Sequence, residues 1–357
     1  MIVRKLKLKL NVLQERELEQ WLLSLASVYN FAIRKIELDA KDKIYHTPYN
    51  FQNLLNGHSK KLVIPSHTIQ GTLMQAYNAW QRCFKKLAKK PRLKGRRNKL
   101  NSIIFPDPIK QNYQNMVNNG YRINLPGIGK IKFHKQDIPA GKIKLSRIIK
   151  RPSGWYLALW IDTVYTFPVK DTDKAVGIDP GFKTLLTLSD GTKYENPREL
   201  KKGELRLAQA QRGRKSKLSA RLLERQANRR NDRNHKISRK LVENYKVIKY
   251  SNDNFKGLAH MHGKSVSEAS LGRLIGMITY KSRLGGRDVI SVNSRYTTMT
   301  CSACGAKTGP HGWGGLAVRN WECSACGAVH DRDINSAVVV LNSGAGVAHK
   351  EAVNVLN

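Results

Sequence analysis

A chain of 357 residues with 64 Lys and Arg against 26 Asp and Glu carries a formal net charge of +38. Self-repulsion of that size calls for a polyanionic partner, so nucleic acid is expected and a neutral small-molecule enzyme is not. No apolar run reaches the ~20 residues of a bilayer span, and the first residues alternate Lys with apolar side chains instead of forming a signal-peptide core, so no membrane association and a cytoplasmic location are expected.

Residues 2–10 set Ile2, Arg4, Leu6, Leu8 and Leu10 against Val3, Lys5, Lys7 and Lys9, which predicts a strand with one wet basic face. From Gln14 to Asp39, Leu18, Leu22, Leu25, Tyr29, Ala32 and Ile36 recur at three- and four-residue spacing, predicting a long helix with one apolar face. A second helix is predicted from about Ser66 to Phe84, burying Ile69, Leu73, Ala76, Trp80 and Phe84. Between Lys85 and Lys99 stand nine Lys or Arg and no acid, interrupted by Pro91 and Gly95. So one-sided a run fits phosphate contact, with Lys85, Lys86, Arg92, Lys94, Arg96 and Arg97 as the candidates. Residues 103–168 then break into short β-rich runs separated by Gly and Pro turns, a spacing that suits a small β-barrel which the first strand can join.

At Val176 an α/β pattern begins, with a strand ending in Asp179-Pro180-Gly181, a second strand at Thr184–Leu188, and Asp190-Gly191 as a hairpin turn. Residues 198–240 hold sixteen Lys or Arg and four acids, with Leu200, Leu207, Leu218, Leu222 and Ile237 at helical intervals. The prediction is a helical hairpin with a thin apolar seam and basic faces that carry Arg212, Arg214, Lys215, Arg229, Arg230 and Arg233 to nucleic acid.

Four of the five cysteines form two pairs, Cys301-x2-Cys304 and Cys323-x2-Cys326, each followed by a glycine. Two such knuckles complete a closed tetrahedral S4 site, so structural Zn²⁺ is expected there, with no open position for catalysis. The acids are less distinctive one by one. Asp179 before Pro-Gly reads as a turn former, and Asp331 or Asp333 as a helix N-cap.

Taken together, Gly177-Ile178-Asp179-Pro180-Gly181, the Arg229–Ser238 stretch, Tyr280-Lys281, Tyr296-Thr297-Thr298, the cysteine pairs and His330-Asp331-Arg332-Asp333-Ile334-Asn335-Ser336-Ala337 resemble the TnpB family, transposon-encoded RNA-guided nucleases. Tyr29-Asn30, Ile69-Gln70, Pro91-Arg92-Leu93-Lys94 and Leu125-Pro126-Gly127-Ile128-Gly129 agree, so the resemblance runs along essentially the whole chain. It implies a multidomain α/β architecture: a first wedge strand over 1–12, a helical recognition domain over 13–100, a wedge β-barrel over 101–172, and an RNase H-like RuvC domain over 173–300 and 327–357. The zinc ribbon is its insert, over 301–326. Guide RNA and double-stranded target DNA are the implied partners, in a bacterial, nucleoid-associated setting. By the same resemblance Tyr49 and Gln70 face the duplex beside the target, where Gln70 can reach an adenine edge or simply face solvent from its helix.

The family's second acid, a Glu at the end of a strand, falls on Ser251 here, and its alternative position near Ser294 is also without a carboxylate. Asp179, Ser251 and Asp333 are therefore expected to be vestigial, without a stable Mg²⁺ site, and the chain to be a nuclease-inactive repressor that occupies guide-matched DNA. The alternative is an active endonuclease or nickase in which Asp253, two residues past Ser251 and so on the same strand face, supplies the third acid. Against that stands the expectation that Asp253 sits in the turn, beyond reach.

Overall fold

The computed structural model describes residues 1–96, 98–107, 113–315 and 317–344. The chain forms two compact units, Met1–Tyr165 and Thr166–Asn357.

The first unit opens with β1 (Ile2–Lys9), whose alternation buries Leu6 and Leu8 as read from the sequence. Helix α1 (Val12–Lys41) starts at a capping box in which the Asn11 side chain accepts from the Gln14 amide at 2.8 Å, and it buries Leu18, Leu22, Leu25, Tyr29, Ala32 and Ile36. The short helices α2 (Pro48–Gln52) and α3 (Ser59–Leu62) lead to α4 (Ser66–Phe84). Ile69, Leu73, Ala76 and Trp80 of α4 are buried as expected. Phe84 is not: it is 47% exposed and stacks on Trp80, because the helix ends there and nothing lies beyond to cover it.

Strands β2 (Ser102–Phe105), β3 (Arg122–Leu125), β4 (Gly129–Phe133), β5 (Lys142–Arg151) and β6 (Gly154–Asp162), with α5 (Tyr113–Asn118) before β3, complete the unit. The six strands pair antiparallel in the order β2-β5-β6-β1-β4-β3, so β1 joins the curled sheet centrally, with Leu6 opposite Leu157 and Leu8 opposite Phe133. Gly127, at φ +80°, makes the β3–β4 turn where Trp21 packs so closely that a Cβ would meet its ring at 2.7 Å. Helices and sheet share one core, with Leu18, Trp21 and Leu73 packed together with Ile131 and Leu157. Two motifs far apart in the sequence meet here. The Asn30 side chain accepts from the Lys94 amide at 2.6 Å and donates to the Lys94 carbonyl at 2.8 Å, which fastens the basic segment to α1.

The second unit is built on β7 (Ala175–Pro180), β8 (Thr184–Leu188), β9 (Lys193–Glu195), β10 (Val247–Asn252) and β11 (Asp288–Asn293), in the order β11-β10-β7-β8-β9. β7, β8 and β9 form an antiparallel meander, whereas β10 and β11 run parallel to β7. This is the mixed sheet expected of an RNase H-like domain. The helical insertion before β10 comprises α6 (Glu199–Lys202), α7 (Glu204–Arg212) and α8 (Ser216–Asn244). Its seam is more polar than the sequence predicts. Leu218 is 37% exposed, and α8 instead buries Gln226, Asn234 and Ser238 beside Ile237 and Leu241. α9 (Phe255–Ala269) and α10 (Leu271–Leu284) form the parallel crossover from β10 to β11. Lys281 of α10 is buried, donates to the His235 carbonyl and the Ser238 hydroxyl of α8 at 2.7 Å each, and is pushed down to about 8 by that burial. A small ribbon follows, with α11 (Gly312–Gly315) and the antiparallel pair β12 (Asn320–Glu322) and β13 (Val329–Asp331), and the described part ends in α12 (Arg332–Asn342). Among the described residues no helix is long and apolar enough to cross a membrane.

Candidate acidic site and metal centre

Parallel strands place their carboxyl ends along one edge, and ligands of such sheets gather there. Asp179 is the last residue but one of β7, and the pairing of Ile178 with Tyr250 puts Ser251 of β10 beside it. The fully buried Ser251 hydroxyl donates to Asp179 Oδ1 at 3.4 Å. Asp253 follows the end of β10, where its carboxylate takes a hydrogen bond from Ser294, which follows the end of β11.

The third acid arrives on α12. Asp331 is the N-cap of this helix, accepting from the Asp333 and Ile334 amides at 3.0 Å each, and it pairs with Lys193 at 2.7 Å, so its role is structural. Asp333 in the first turn points elsewhere, to Arg319 Nη1 at 3.2 Å and Arg332 Nε at 3.5 Å. α12 lies directly on β7 because Gly177 has no side chain: a Cβ there would meet the Ala337 carbonyl oxygen at 2.0 Å. Lys249 of β10 holds the far end of the helix, donating to the Leu341 and Ser343 carbonyls at 2.8 and 2.7 Å.

The three acids interact. The Asp179 carboxyl is pushed up to about 7, first by burial and then by the negative charges of Asp253 and Asp333, with the Ser251 hydrogen bond and Arg332 opposing. Asp253 is raised by burial, against its bond to Ser294. Asp253 lies just past the end of β10, as expected, and its charge acts on Asp179. The pairing of Asn252 with Asn293 brings Asp253 and Ser294 side by side past the strand ends. Among the described residues the four cysteines are the one group whose ligand atoms lie close enough to hold a single metal ion, and the acids form no such group.

The cysteine centre is compact. The sulfurs of Cys301, Cys304, Cys323 and Cys326 lie within 4.8 Å of one another, with Cys301 to Cys326 at 3.8 Å and Cys304 to Cys323 at 3.7 Å. Four thiolates at about 2.3 Å from a tetrahedral ion stand about 3.8 Å apart, so these residues fit a structural metal. Gly305 and Gly327, at φ +79° and +73°, turn the two knuckles. The Thr308 hydroxyl and the Ala325 and Cys326 amides hold the Cys323 thiol low, and His330 Nε2 lies 3.1 Å from Cys301 Sγ. Spacing alone does not show Thr308 as a partner, and His330 is legible only as part of a motif. The buried Asn335 accepts from the Ser302 amide and donates to the Thr300 carbonyl, both at 2.8 Å, which ties the first knuckle to the helix that carries Asp333.

The basic candidates divide. Arg212, Arg214 and Lys215 stand exposed at the α7–α8 turn, and Lys85, Lys86, Arg92 and Arg96 reach the surface of the first unit; Arg97 lies outside the described residues. Lys94 rests its ammonium over the Tyr29 ring at 5.0 Å. Arg229 pairs with Glu199 at 3.0 Å and Arg230 is partly buried. Arg233 departs from the phosphate-contact expectation. Its guanidinium binds Asn234, Asn196 and the Ala269 carbonyl, and so clamps α8 to neighbouring segments. Tyr49 is 70% exposed. Gln70 is half-buried and donates to Asn53 Oδ1 at 3.1 Å.

Known proteins bear on this site. The family "Probable transposase" (OrfB_IS605) matches residues 161–261, and the family "Cas12f1-like, TNB domain" matches residues 272–340. A Streptomyces pristinaespiralis protein named "Putative RNA-guided DNA endonuclease" is 35% identical over 54% of this chain and 51% of its own length. The Escherichia coli K12 protein "Putative RNA-guided DNA endonuclease InsQ" is 28% identical over 79% of this chain and 75% of its own. The chain thus spans about half the length of the first relative and three quarters of the second. A Cas12f1 chain solved by cryo-EM with sgRNA and target DNA aligns over 96% of this chain and 99% of its own at 16% identity and a TM-score of 0.38, too low for shared topology to be argued from it. The expectation of a chain without enzymatic chemistry is overturned, since both curated relatives are named as endonucleases. Across the strands, ribbon and helix that carry its acids and cysteines, the chain is similar to these two families and to curated proteins named as RNA-guided DNA endonucleases.

Proposed function

We propose that the chain is an RNA-guided DNA endonuclease of the TnpB type whose acid set is Asp179, Asp253 and Asp333. The observation that carries this reading is the register of β7, β10 and β11, which sets Asp179 beside Ser251 and brings Asp253 past the same sheet edge, where its charge and that of Asp333 add to burial in raising the Asp179 carboxyl. The names of the relatives support the substrate class.

In this reading Asp179, Asp253 and Asp333 would hold divalent metal ions. When bound, Mg²⁺ supplies an activated water and stabilises the leaving oxygen of a phosphodiester. Ser251 orients Asp179 through its hydrogen bond, and Ser294 orients Asp253. Arg319 occupies Asp333 in the resting protein and must release it; as an exposed pair this costs about 0.2–1 kcal/mol. Guide pairing selects the target, and the protein reads a short flanking motif, with Tyr49 and Gln70 as candidates. The cysteine centre takes Zn²⁺ as a structural ion, the metal that four thiolates favour.

The test is cleavage of a duplex matched to the co-purifying RNA, in Mg²⁺ and in EDTA. Mg²⁺-dependent cutting of the matched duplex alone is expected, and tight binding without cutting would sink the proposal. A separate prediction concerns the guide. Replacing Arg212, Arg214 and Lys215 with Ala should weaken RNA binding and reduce the logarithmic salt slope by roughly 0.7 to 0.9 for each phosphate that the protein ceases to neutralise. An unchanged slope would assign the RNA to another surface.

A further inference from the structure

Tyr296 is an aromatic residue held in a left-handed conformation, φ +67°, which a side chain with a Cβ adopts only when its surroundings impose it. The turn that imposes it is tightly bonded. Thr297 donates its hydroxyl to the Ser294 carbonyl at 3.0 Å, and the Tyr296 carbonyl accepts from the Met299 and Thr300 amides at 3.0 and 2.9 Å. The ring is 39% exposed, with the Arg295 guanidinium 4.8 Å and the Lys307 ammonium 4.4 Å from its centroid. This turn follows β11 and includes Ser294, the partner of Asp253. A rigid aromatic flanked by two exposed cations therefore stands two residues from a side chain that orients an acid of the candidate site.

We propose that Tyr296, with Arg295 and Lys307, is a stacking platform for an unpaired base of the DNA strand that enters the acidic site. Single-stranded binding sites combine an aromatic face for the base with cations for the backbone, and both are present here. Magnitudes favour the exchange. An exposed cation–π contact is worth about two- to fivefold in an equilibrium constant, whereas stacking of one base is worth about five- to hundredfold. A base can thus displace a cation from the ring, and the displaced cation is then beside the strand, where a phosphate can take it. The inference rests on the endonuclease reading for the identity of the strand.

The experiment uses the full chain with its co-purified RNA, in buffer without Mg²⁺ and without chelator so that the ribbon keeps its metal, and a single-stranded DNA oligonucleotide carrying one 2-aminopurine, whose fluorescence falls when the base stacks. Quenching is expected with the unmodified chain and with Tyr296→Phe. Tyr296→Ala and Tyr296→Gly should lose the quenching and bind the oligonucleotide at least about fivefold more weakly. The glycine variant relieves the left-handed backbone, so a merely conformational role for this position would leave its quenching intact, and that result overturns the platform. Quenching seen only with an RNA oligonucleotide of the same sequence would overturn it too. Binding is read without Mg²⁺, so failure of the unmodified chain to cut DNA would count against the nuclease reading alone, and failure to quench against the platform alone.

Discussion

Cys304→Ser or Cys326→Ser is expected to strip the ribbon of its metal and unfold it. Structural zinc contributes about 10–16 kcal/mol of apparent binding free energy in small zinc domains, comparable with the whole stability of a typical domain. Among the described residues the ribbon's own core is Cys301, Trp321 and Cys323, with Ala328 packed against them, too little to stand without the ion. Elemental analysis should find about one Zn per unmodified chain and none in the variants. Hydrogen exchange across residues 300–330 should lose its protection, while unit Met1–Tyr165, which has a separate core, keeps its own. Because Asn335 hangs on Thr300 and Ser302, the start of α12 should loosen as well and cleavage should fall with it. A metal-free variant with a fully protected ribbon would contradict this.

Gly177→Ala is the second large effect. The added methyl would sit 2.0 Å from the Ala337 carbonyl oxygen and 2.7 Å from the Leu341 amide nitrogen, backbone atoms that cannot rotate away. α12 must move off β7, which costs about 3 kcal/mol at the upper end of ordinary overpacking. For a unit of this size that is a fall in Tm of roughly 6–12 °C. The displacement carries Asp333 away from Asp179, so cleavage should drop beyond what reduced stability explains at a temperature where the variant is still folded. An unchanged Tm would mean that the helix does not lie on Gly177.

Some of this is legible in the sequence because the chemistry is written locally. The cysteine pairs with their glycines name a metal centre by spacing, and Asp179 and Asp333 sit in recognisable surroundings. The apolar faces of α1 and α4 follow from periodicity, because a helix repeats whatever its neighbours do. The contact of Asp253 with Ser294, forty-one residues further along the chain, is not written locally and follows only from the register of β10 and β11. Arg233 is misread because a helical arginine looks the same whether it meets a phosphate or the Ala269 carbonyl. Asn30 and Lys94, like Lys281 and Ser238, stand in separate motifs along the chain. Only the fold shows that each pair is in contact.

In the proposed endonuclease Asp253 completes the acid set in place of the glutamate whose position Ser251 occupies. Asp253→Asn tests it most directly, since the amide keeps the shape and can still accept the Ser294 hydrogen bond while the charge is gone. The measurement is the rate of Mg²⁺-dependent cleavage of a guide-matched duplex, with target binding followed in parallel. The expected result is cutting by the unmodified chain, a loss of at least ~100-fold in the variant, and equal binding by both. Cleavage by Asp253→Asn at the unmodified rate would contradict the account.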